Sequence, residues 1–287
     1  MSDEVNIPID LEPDALARPK PTLPGVVVVK RSMDETLDVL MADLMIHARN
    51  CVRAFGDFHL AVLATPDLER VLARVLWDPF MREFPWTRTH LWLVDEIAGD
   101  SPRAREELAR GLLVEQSDIP REQFHPIDAA DATGEAYEAK LRETLGWREK
   151  GHDRLDFVLL SLDPSGPLLR AGPPTGADRL VAPAGHAGPG VCMTLEFLNA
   201  SRFIAVTAVN GSESSDGSRA PQVAQVARAY RRLPREARLA PSQDQAMGVR
   251  LRPVAGELRW YLDPDAAFGG GGGGGDGEIA TNQPCGG

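Results

Sequence analysis

Apolar runs and helical repeats alternate along this chain, and the alternation predicts its fold. Compact runs of Val, Leu, Ile and Phe, each bounded by polar or turn-forming residues, predict strands. They fall at residues 26–29, 60–64, 91–94, 124–127, 155–162, 191–195, 203–209 and 257–263. Between several of them, apolar residues recur every three or four positions, a spacing typical of helices packed on a sheet. We therefore expect an α/β fold with a mainly parallel, doubly wound sheet flanked by helices.

The run at residues 155–162 is the most informative of these strands. Its letters, LDFVLLSL, are interrupted only by Asp156 and Ser161, which fits a strand buried on both faces of a parallel sheet. A turn follows at residues 163–166. Because open α/β sheets bind ligands beyond the carboxyl ends of their strands, this turn is a candidate site. A buried strand followed by an ordinary turn explains the same letters.

The two ends of the chain differ in composition from the middle. Residues 1–24 are polar and contain five prolines, which predicts a flexible or extended arm. Residues 269–287 begin with seven glycines and remain polar, which predicts a disordered tail. We expect the α/β domain to occupy residues 25–268.

Charge and cysteine content disfavour several classes of partner. Lys and Arg total 31 against 42 Asp and Glu, a formal net charge of -11, which argues against binding to nucleic acid or to an anionic membrane. The three cysteines have no metal or redox spacing, and their odd number argues against a disulfide framework. We therefore expect no metal, no other cofactor and a reducing, cytoplasmic compartment. The first residues lack the apolar segment of a secretory signal, in agreement with that compartment.

Four segments, in this order and spacing, resemble the 6-phosphogluconolactonase family, whose superfamily includes the glucosamine-6-phosphate isomerases. They are residues 86–96 (WTRTHLWLVDE), 155–173 (LDFVLLSLDPSGPLLRAGP), 194–202 (TLEFLNASR) and 251–267 (LRPVAGELRWYLDPDAA). The resemblance covers most of residues 26–268 and implies the same α/β architecture. It also implies a sugar-phosphate ligand and a role in the pentose phosphate pathway.

Most of the charged groups that the resemblance requires at the site are missing. The histidine presumed to be the general base of the lactonases falls on Pro167, which has no titratable group. The arginine after the family's Asp-Glu pair falls on Ile97, a second arginine on Gly190 and a lysine on Ser214. The Gly-rich phosphate cradle after the second strand is shortened to Leu-Ala-Thr-Pro, which leaves only the Thr65 hydroxyl at the start of the helix.

A few positions keep groups that make them candidates for the site. Asp95 and Glu96 match the acidic pair of the family, and together with Asp163 they are the candidate bases. A strand-end aspartate that caps the next turn explains Asp95 equally well, and an ordinary helix cap explains Thr65. The candidate ligand contacts are Thr65, Ser165 and Gly166.

Three functions remain open on this sequence. The first is a lactonase-like protein that is catalytically impaired or non-catalytic. The second is an active sugar-phosphate lactonase or hydrolase whose phosphate is held by arginines from elsewhere, such as Arg170 or Arg202. The third is a regulatory module that docks on another enzyme of the pathway. His152 and His186 lie in loops without an identifiable partner, so we expect solvated side chains there rather than replacement bases.

Overall fold

A computed structural model describes residues 18–97, 104–128, 131–162, 178–184, 190–209, 220–239 and 247–269 of this chain. Within these ranges the chain forms a seven-stranded sheet, a three-stranded sheet and surrounding helices. The strands are β1 Val26–Val29, β2 Phe58–Val62, β3 Thr89–Leu93, β4 Asp95–Ile97, β5 Phe124–His125, β6 Phe157–Ser161, β7 Val181–Pro183, β8 Gly190–Met193, β9 Phe203–Ala208 and β10 Glu257–Leu262. The α-helices are α1 Met33–Phe55, α2 Glu69–Trp77, α3 Ala104–Ala109, α4 Glu135–Leu145, α5 Leu195–Asn199, α6 Ala220–Arg232, α7 Arg235–Leu239, α8 Met247–Arg250 and α9 Pro264–Phe268.

The larger sheet is entirely parallel. Its strands lie in the order β1-β10-β9-β6-β2-β3-β5, and each neighbouring pair runs in the same direction. Strand β6 is fourth of the seven, and every residue from Leu155 to Leu162 is buried. A strand with both faces covered needs apolar side chains on both, which is why this part of the sequence reads as a continuous apolar run. The predicted α/β fold is confirmed.

The smaller sheet was not predicted. It is antiparallel, in the order β4-β8-β7, with Asp95 opposite Cys192 and Val181 opposite Met193. Strand β7 is absent from the strands predicted by the apolar runs, because three residues are too few to show an alternating pattern and pairing with β8 holds them in place. The amide of Met193 donates to the Val94 carbonyl (2.8 Å), which attaches the smaller sheet to the end of β3.

Local sequence signals explain how α1 begins and ends. The Ser32 hydroxyl accepts the amide N–H of Glu35 (3.1 Å), as the Ser-x-x-Glu spacing predicts. The helix ends at Gly56, whose φ of 90° is a left-handed conformation that glycine adopts without strain. The chain then enters β2, so α1 crosses back over the sheet to begin the next parallel strand.

The core lies between the larger sheet and its helices, and it includes the fully buried rings of Trp92, Trp260 and Tyr261. No helix in the described ranges combines the length and apolar character needed to cross a membrane. The domain limits at residues 25 and 268 remain a prediction. The predicted arm and tail lie outside the described residues, apart from residues 18–24 and Gly269.

Candidate functional site

The carboxyl edge of the larger sheet, where its parallel strands end, contains the candidate acid Asp95. This residue begins β4 just after β3, and its side chain is 1% exposed. Its carboxylate forms an ion pair with the guanidinium of Arg105, with 2.5 Å between Oδ1 and Nε. Arg105 comes from α3 and also donates from Nη1 to the carbonyl of Ala64 beyond the end of β2 (3.0 Å). One arginine therefore links the ends of two neighbouring strands to α3.

Glu96, the second candidate acid, holds the start of α3. One of its carboxylate oxygens accepts the amide N–H of Glu106 (2.8 Å) and the other accepts that of Arg105 (3.3 Å). Burial raises the pKa of Glu96 above its ordinary value, and these two N–H groups oppose that shift. The side chain thus satisfies backbone donors that the first turn of a helix leaves unpaired.

Two buried hydroxyls at the same edge have no hydrogen-bond partner among the described residues. They are Oγ1 of Thr65, beyond the end of β2, and Oγ of Ser161, the last residue of the adjacent β6. Thr65 precedes a short 3-10 helix, but its side chain makes no capping bond, so the cap explanation for Thr65 is not supported. A buried hydroxyl without a partner is destabilising, so each of these two groups has hydrogen-bonding capacity that the described residues leave unused.

Arg105 also has donor groups left over. An arginine carries five N–H groups, and the described contacts of Arg105 use its Nε and one Nη1 position. No described residue accepts a hydrogen bond from its Nη2, and the side chain is 16% exposed. The carboxyl edge therefore combines a partly accessible cation with two unpaired hydroxyls.

The remaining candidates of this edge cannot be placed. Asp163, Ser165, Gly166 and Arg170 lie outside the described residues, and so does His186. Their proposed roles stay predictions. The described residues before this gap end at Leu162, whose amide donates to the Thr207 carbonyl (2.8 Å) at the end of β9.

Arg202 lies at the opposite edge of the sheet, so its suggested role as a phosphate clamp is wrong. It immediately precedes β9 and pairs with Asp156, which immediately precedes β6 (3.0 Å). Arg148 joins the same buried cluster through two bonds to Asp156 (2.9 Å each) and an ion pair with Asp57. These contacts link the amino ends of three parallel strands, because Asp57 immediately precedes β2.

His152 belongs to this amino edge as well. Its Nδ1 accepts a hydrogen bond from Nη2 of Arg202 (2.8 Å), and its ring lies 5.1 Å from that of Phe55. The expectation of a solvated histidine without a partner is therefore wrong. The loop at residues 150–154 brings His152 back onto the sheet, and sequence spacing gives no sign of this contact.

A row of aromatic side chains crosses β2, β3 and β5 on one face of the sheet. The ring of His59 stacks on that of His90 (4.6 Å), and Trp92 stacks on His125 (3.7 Å). His90 and His125 share a hydrogen bond of 3.0 Å. Burial lowers the pKa of His90 to about 4 and that of His125 to about 3, so both rings are neutral near neutral pH.

Part of this row has the composition of a metal site but not the protonation of one. Ligand atoms of Asp57, His59 and His90 lie within 4.8 Å of one another. However, the indole N–H of Trp92 donates to Nδ1 of His59 (3.0 Å), so Nδ1 carries no proton and Nε2 is the donor to Asp57 (3.2 Å). A metal bound to Nε2 of His59 needs the reverse arrangement, with Nε2 unprotonated and Nδ1 as the hydrogen-bond donor. We interpret the row as a hydrogen-bonded packing element.

Sequence comparison decides the family. The model of the family described as glucosamine-6-phosphate isomerases/6-phosphogluconolactonase matches residues 31–216. The chain belongs to this family. The resemblance found in the sequence is thus confirmed, and the matched range contains Thr65, Asp95, Arg105 and Ser161.

Curated relatives carry the same assignment at low identity. A 6-phosphogluconolactonase from Nostoc is 28% identical over 197 residues, which cover 64% of this chain and 75% of that protein. The GDH/6PGL endoplasmic bifunctional protein of Oryctolagus cuniculus is 25% identical over 254 residues, which cover 82% of this chain. The match spans only 29% of the rabbit protein.

Solved structures of the family share the fold. The crystal structure of 6-phosphogluconolactonase from Leishmania guyanensis superposes with a TM-score of 0.62, covering 86% of this chain and 99% of that one. The identity is 18%, so this likeness supports the architecture and no more.

Proposed function

We propose that this family member binds a phosphorylated sugar acid or its lactone at the carboxyl edge and that its lactone hydrolysis is impaired. The observation that carries the proposal is the Asp95–Arg105 ion pair beside the Glu96 cap of α3. Both candidate bases that the structure describes are engaged with protein groups. A carboxylate that holds a guanidinium or a helix start is a poor acceptor for the proton of an attacking water.

The histidines do not supply a substitute base among the described residues. The ring of His47 packs on that of Phe203 (4.5 Å), and the other four belong to the amino-edge cluster or to the aromatic row. None of the five forms a hydrogen bond with Thr65, Asp95 or Arg105. With proline at position 167, general-base catalysis of the kind that the family resemblance implies lacks its proton acceptor here.

Ligand binding is supported by the unpaired groups of the same edge. The donors that this edge offers to an anion are Nη2 of Arg105 and the hydroxyls of Thr65 and Ser161. Charge-assisted bonds of this kind are stronger than neutral ones. Arg105 would take over the part of the arginine that the family resemblance places at Ile97, and a role in sugar-phosphate metabolism follows from that chemistry.

Calorimetric titration with 6-phosphogluconate tests the binding half of the proposal. We expect saturable binding that weakens by about tenfold or more in Thr65→Val and in Arg105→Lys, since each removes a ligand donor. Thr207→Val is the matched control, because the Thr207 hydroxyl is already bonded to the Leu160 carbonyl (3.1 Å). Equal affinity in all four proteins, or no binding to the folded parent chain, would overturn this half.

A second candidate, an active lactonase that uses Glu96, is favoured by one observation. The raised pKa of Glu96 moves this carboxyl toward the range in which a side chain transfers protons near neutral pH. The variant Glu96→Gln separates the two candidates. Any lactonase activity of the parent chain that disappears in this variant, in a folded protein that still binds 6-phosphogluconate, supports the second candidate.

Docking to another enzyme of sugar-phosphate metabolism is a further proposal. A cytoplasmic location remains an expectation from the sequence. Size-exclusion chromatography of mixtures with candidate enzymes tests the docking. A single monomer peak in every mixture would count against it.

A further inference from the structure

The amino edge of the larger sheet contains a cavity that the carboxyl-edge site does not use. Its volume is about 790 Å³, and it lies between α4, α5 and the segments that precede β6 and β10. Cavities that hold small molecules have volumes of roughly 300–1,000 Å³. The cavity is therefore large enough for a ligand, and it lies at the opposite end of the strands from Thr65 and Ser161.

One wall of this cavity is apolar. Leu141 and Leu145 of α4, Phe197 of α5 and the nearby Leu180 and Val254 contribute it. Val254 is 87% exposed. An apolar wall of this kind next to solvent favours the hydrocarbon or aromatic part of a ligand.

Arg154 is one of the three arginines that line the cavity. Its Nη1 makes only long hydrogen bonds, to the carbonyls of Ala200 (3.4 Å) and Ala255 (3.3 Å). Its Nε is buried and has no partner among the described residues. Burial, together with the charge of Arg202, lowers the pKa of Arg154, and the charges of Asp156 and Asp153 oppose this shift only in part.

The other two arginines of the cavity pair with glutamates of α4: both contact Glu138, and Arg179 also lies 3.8 Å from Glu135. Arg142 and Arg179 each pair with a different carboxylate oxygen of Glu138, both at 2.8 Å. No described carboxylate forms an ion pair with Arg154. Arg154 is thus the arginine of this cavity that has no ion pair with a described carboxylate.

We propose that this cavity binds a monoanion with an apolar body, such as an aromatic or branched carboxylate or sulfonate. The acidic head contacts Arg154, and the apolar body lies against Leu145 and Phe197. Asp153, Asp178 and Glu196 also line the cavity and are exposed. Their charges are screened by solvent but still disfavour multiply charged anions. The ligand class therefore differs from the sugar phosphates proposed for the carboxyl edge.

Fluorescence titration with 8-anilinonaphthalene-1-sulfonate, an aromatic monoanion, tests the proposal on the full chain. We expect one saturable site with a blue-shifted emission. Arg154→Gln should weaken binding by about tenfold or more. Ala255→Trp, at an exposed position of the cavity, should abolish the saturable signal by filling the cavity. Arg31→Gln, which removes an arginine that is 73% exposed and does not line the cavity, should leave the affinity unchanged.

Competition distinguishes this cavity from the carboxyl-edge site. An excess of 6-phosphogluconate should not displace the dye, whether or not the sugar acid binds elsewhere. Competitive displacement by 6-phosphogluconate would overturn the proposal, and so would equal affinity of the parent chain, Arg154→Gln and Ala255→Trp. Circular dichroism and thermal melting of each variant establish that it is folded before it is titrated.

Discussion

The aromatic row across β2, β3 and β5 should make the folded protein lose stability on acidification. The loss should begin at a pH well above the pKa values that His90 and His125 have in the folded chain. The perturbation that isolates this effect is His125→Phe. It removes one titrating ring and keeps an aromatic side chain against Trp92, on which His125 stacks at 3.7 Å. His90 loses its hydrogen-bond partner but lies nearer the surface, where water can replace it.

The magnitude follows from the pKa of His125. In the folded chain it is about 3, whereas an unfolded histidine titrates at about 6.5. Between pH 7 and pH 5 the unfolded chain therefore takes up a proton at this position and the folded chain does not. Where the unfolded state binds more protons than the folded state, the free energy of unfolding decreases as the pH is lowered. For a histidine with this pKa difference the decrease is about 2 kcal/mol over this interval. The stability is present above pH 6.5 and is lost as the pH falls toward the folded pKa.

Urea unfolding at pH 7 and pH 5 measures the effect. We expect the difference in unfolding free energy between the two pH values to be about 2 kcal/mol smaller in His125→Phe than in the parent chain. Tyr137→Phe is the control, because it removes a hydrogen bond to the Leu93 carbonyl on the same face (2.8 Å) without changing proton uptake in this range. A pH difference that is the same in His125→Phe and in the parent chain would refute the assignment of a neutral, desolvated histidine.

Three further predictions concern stability and metal binding. Thr65→Val should raise the free energy of unfolding by about 1 kcal/mol, since it removes an unpaired buried hydroxyl. Thr207→Val should lower it by about 1 kcal/mol, because the Thr207 hydroxyl is hydrogen-bonded. A change of the same sign in both variants, measured by urea unfolding, would contradict the argument. Arg148→Met should destabilise the fold by about 3–5 kcal/mol, because it removes the buried guanidinium that bridges the carboxylates of Asp57 and Asp156. Lys140→Gln, which breaks an exposed pair, should change stability by less than about 0.5 kcal/mol. Zinc should not shift the thermal midpoint in a saturable way, and a saturable shift that disappears in a His90 variant would show that the proton on His59 does not exclude a metal.

Regular structure was predictable here wherever local pattern and tertiary burial agree. The strand at residues 26–29 and the Ser32 cap were both readable, because each depends on residues that are close in sequence. The buried strand β6 was readable because both of its faces are covered. Strand β7 was not readable, because its three residues are held by pairing with β8 rather than by their own pattern.

The site was less predictable than the fold, for a physical reason. Asp95 and Glu96 could be identified as candidates, but their partner Arg105 lies on another element and nothing in the spacing links them. A sequence signal did exist at the amino edge. Asp156 is a charged residue inside an apolar run, and a buried charge requires partners, which the structure provides as Arg148 and Arg202.

The most direct test of the account is hydrolysis of freshly prepared 6-phosphogluconolactone by the purified chain, compared with the spontaneous rate and combined with 6-phosphogluconate titration of the same sample. We predict saturable binding of the acid that depends on Thr65 and Arg105, with a lactone hydrolysis rate indistinguishable from the spontaneous one. A clear enzymatic rate would contradict the proposed impairment and direct attention to Glu96 and to residues 163–166. Absence of both binding and hydrolysis in the folded chain would contradict the sugar-phosphate site itself.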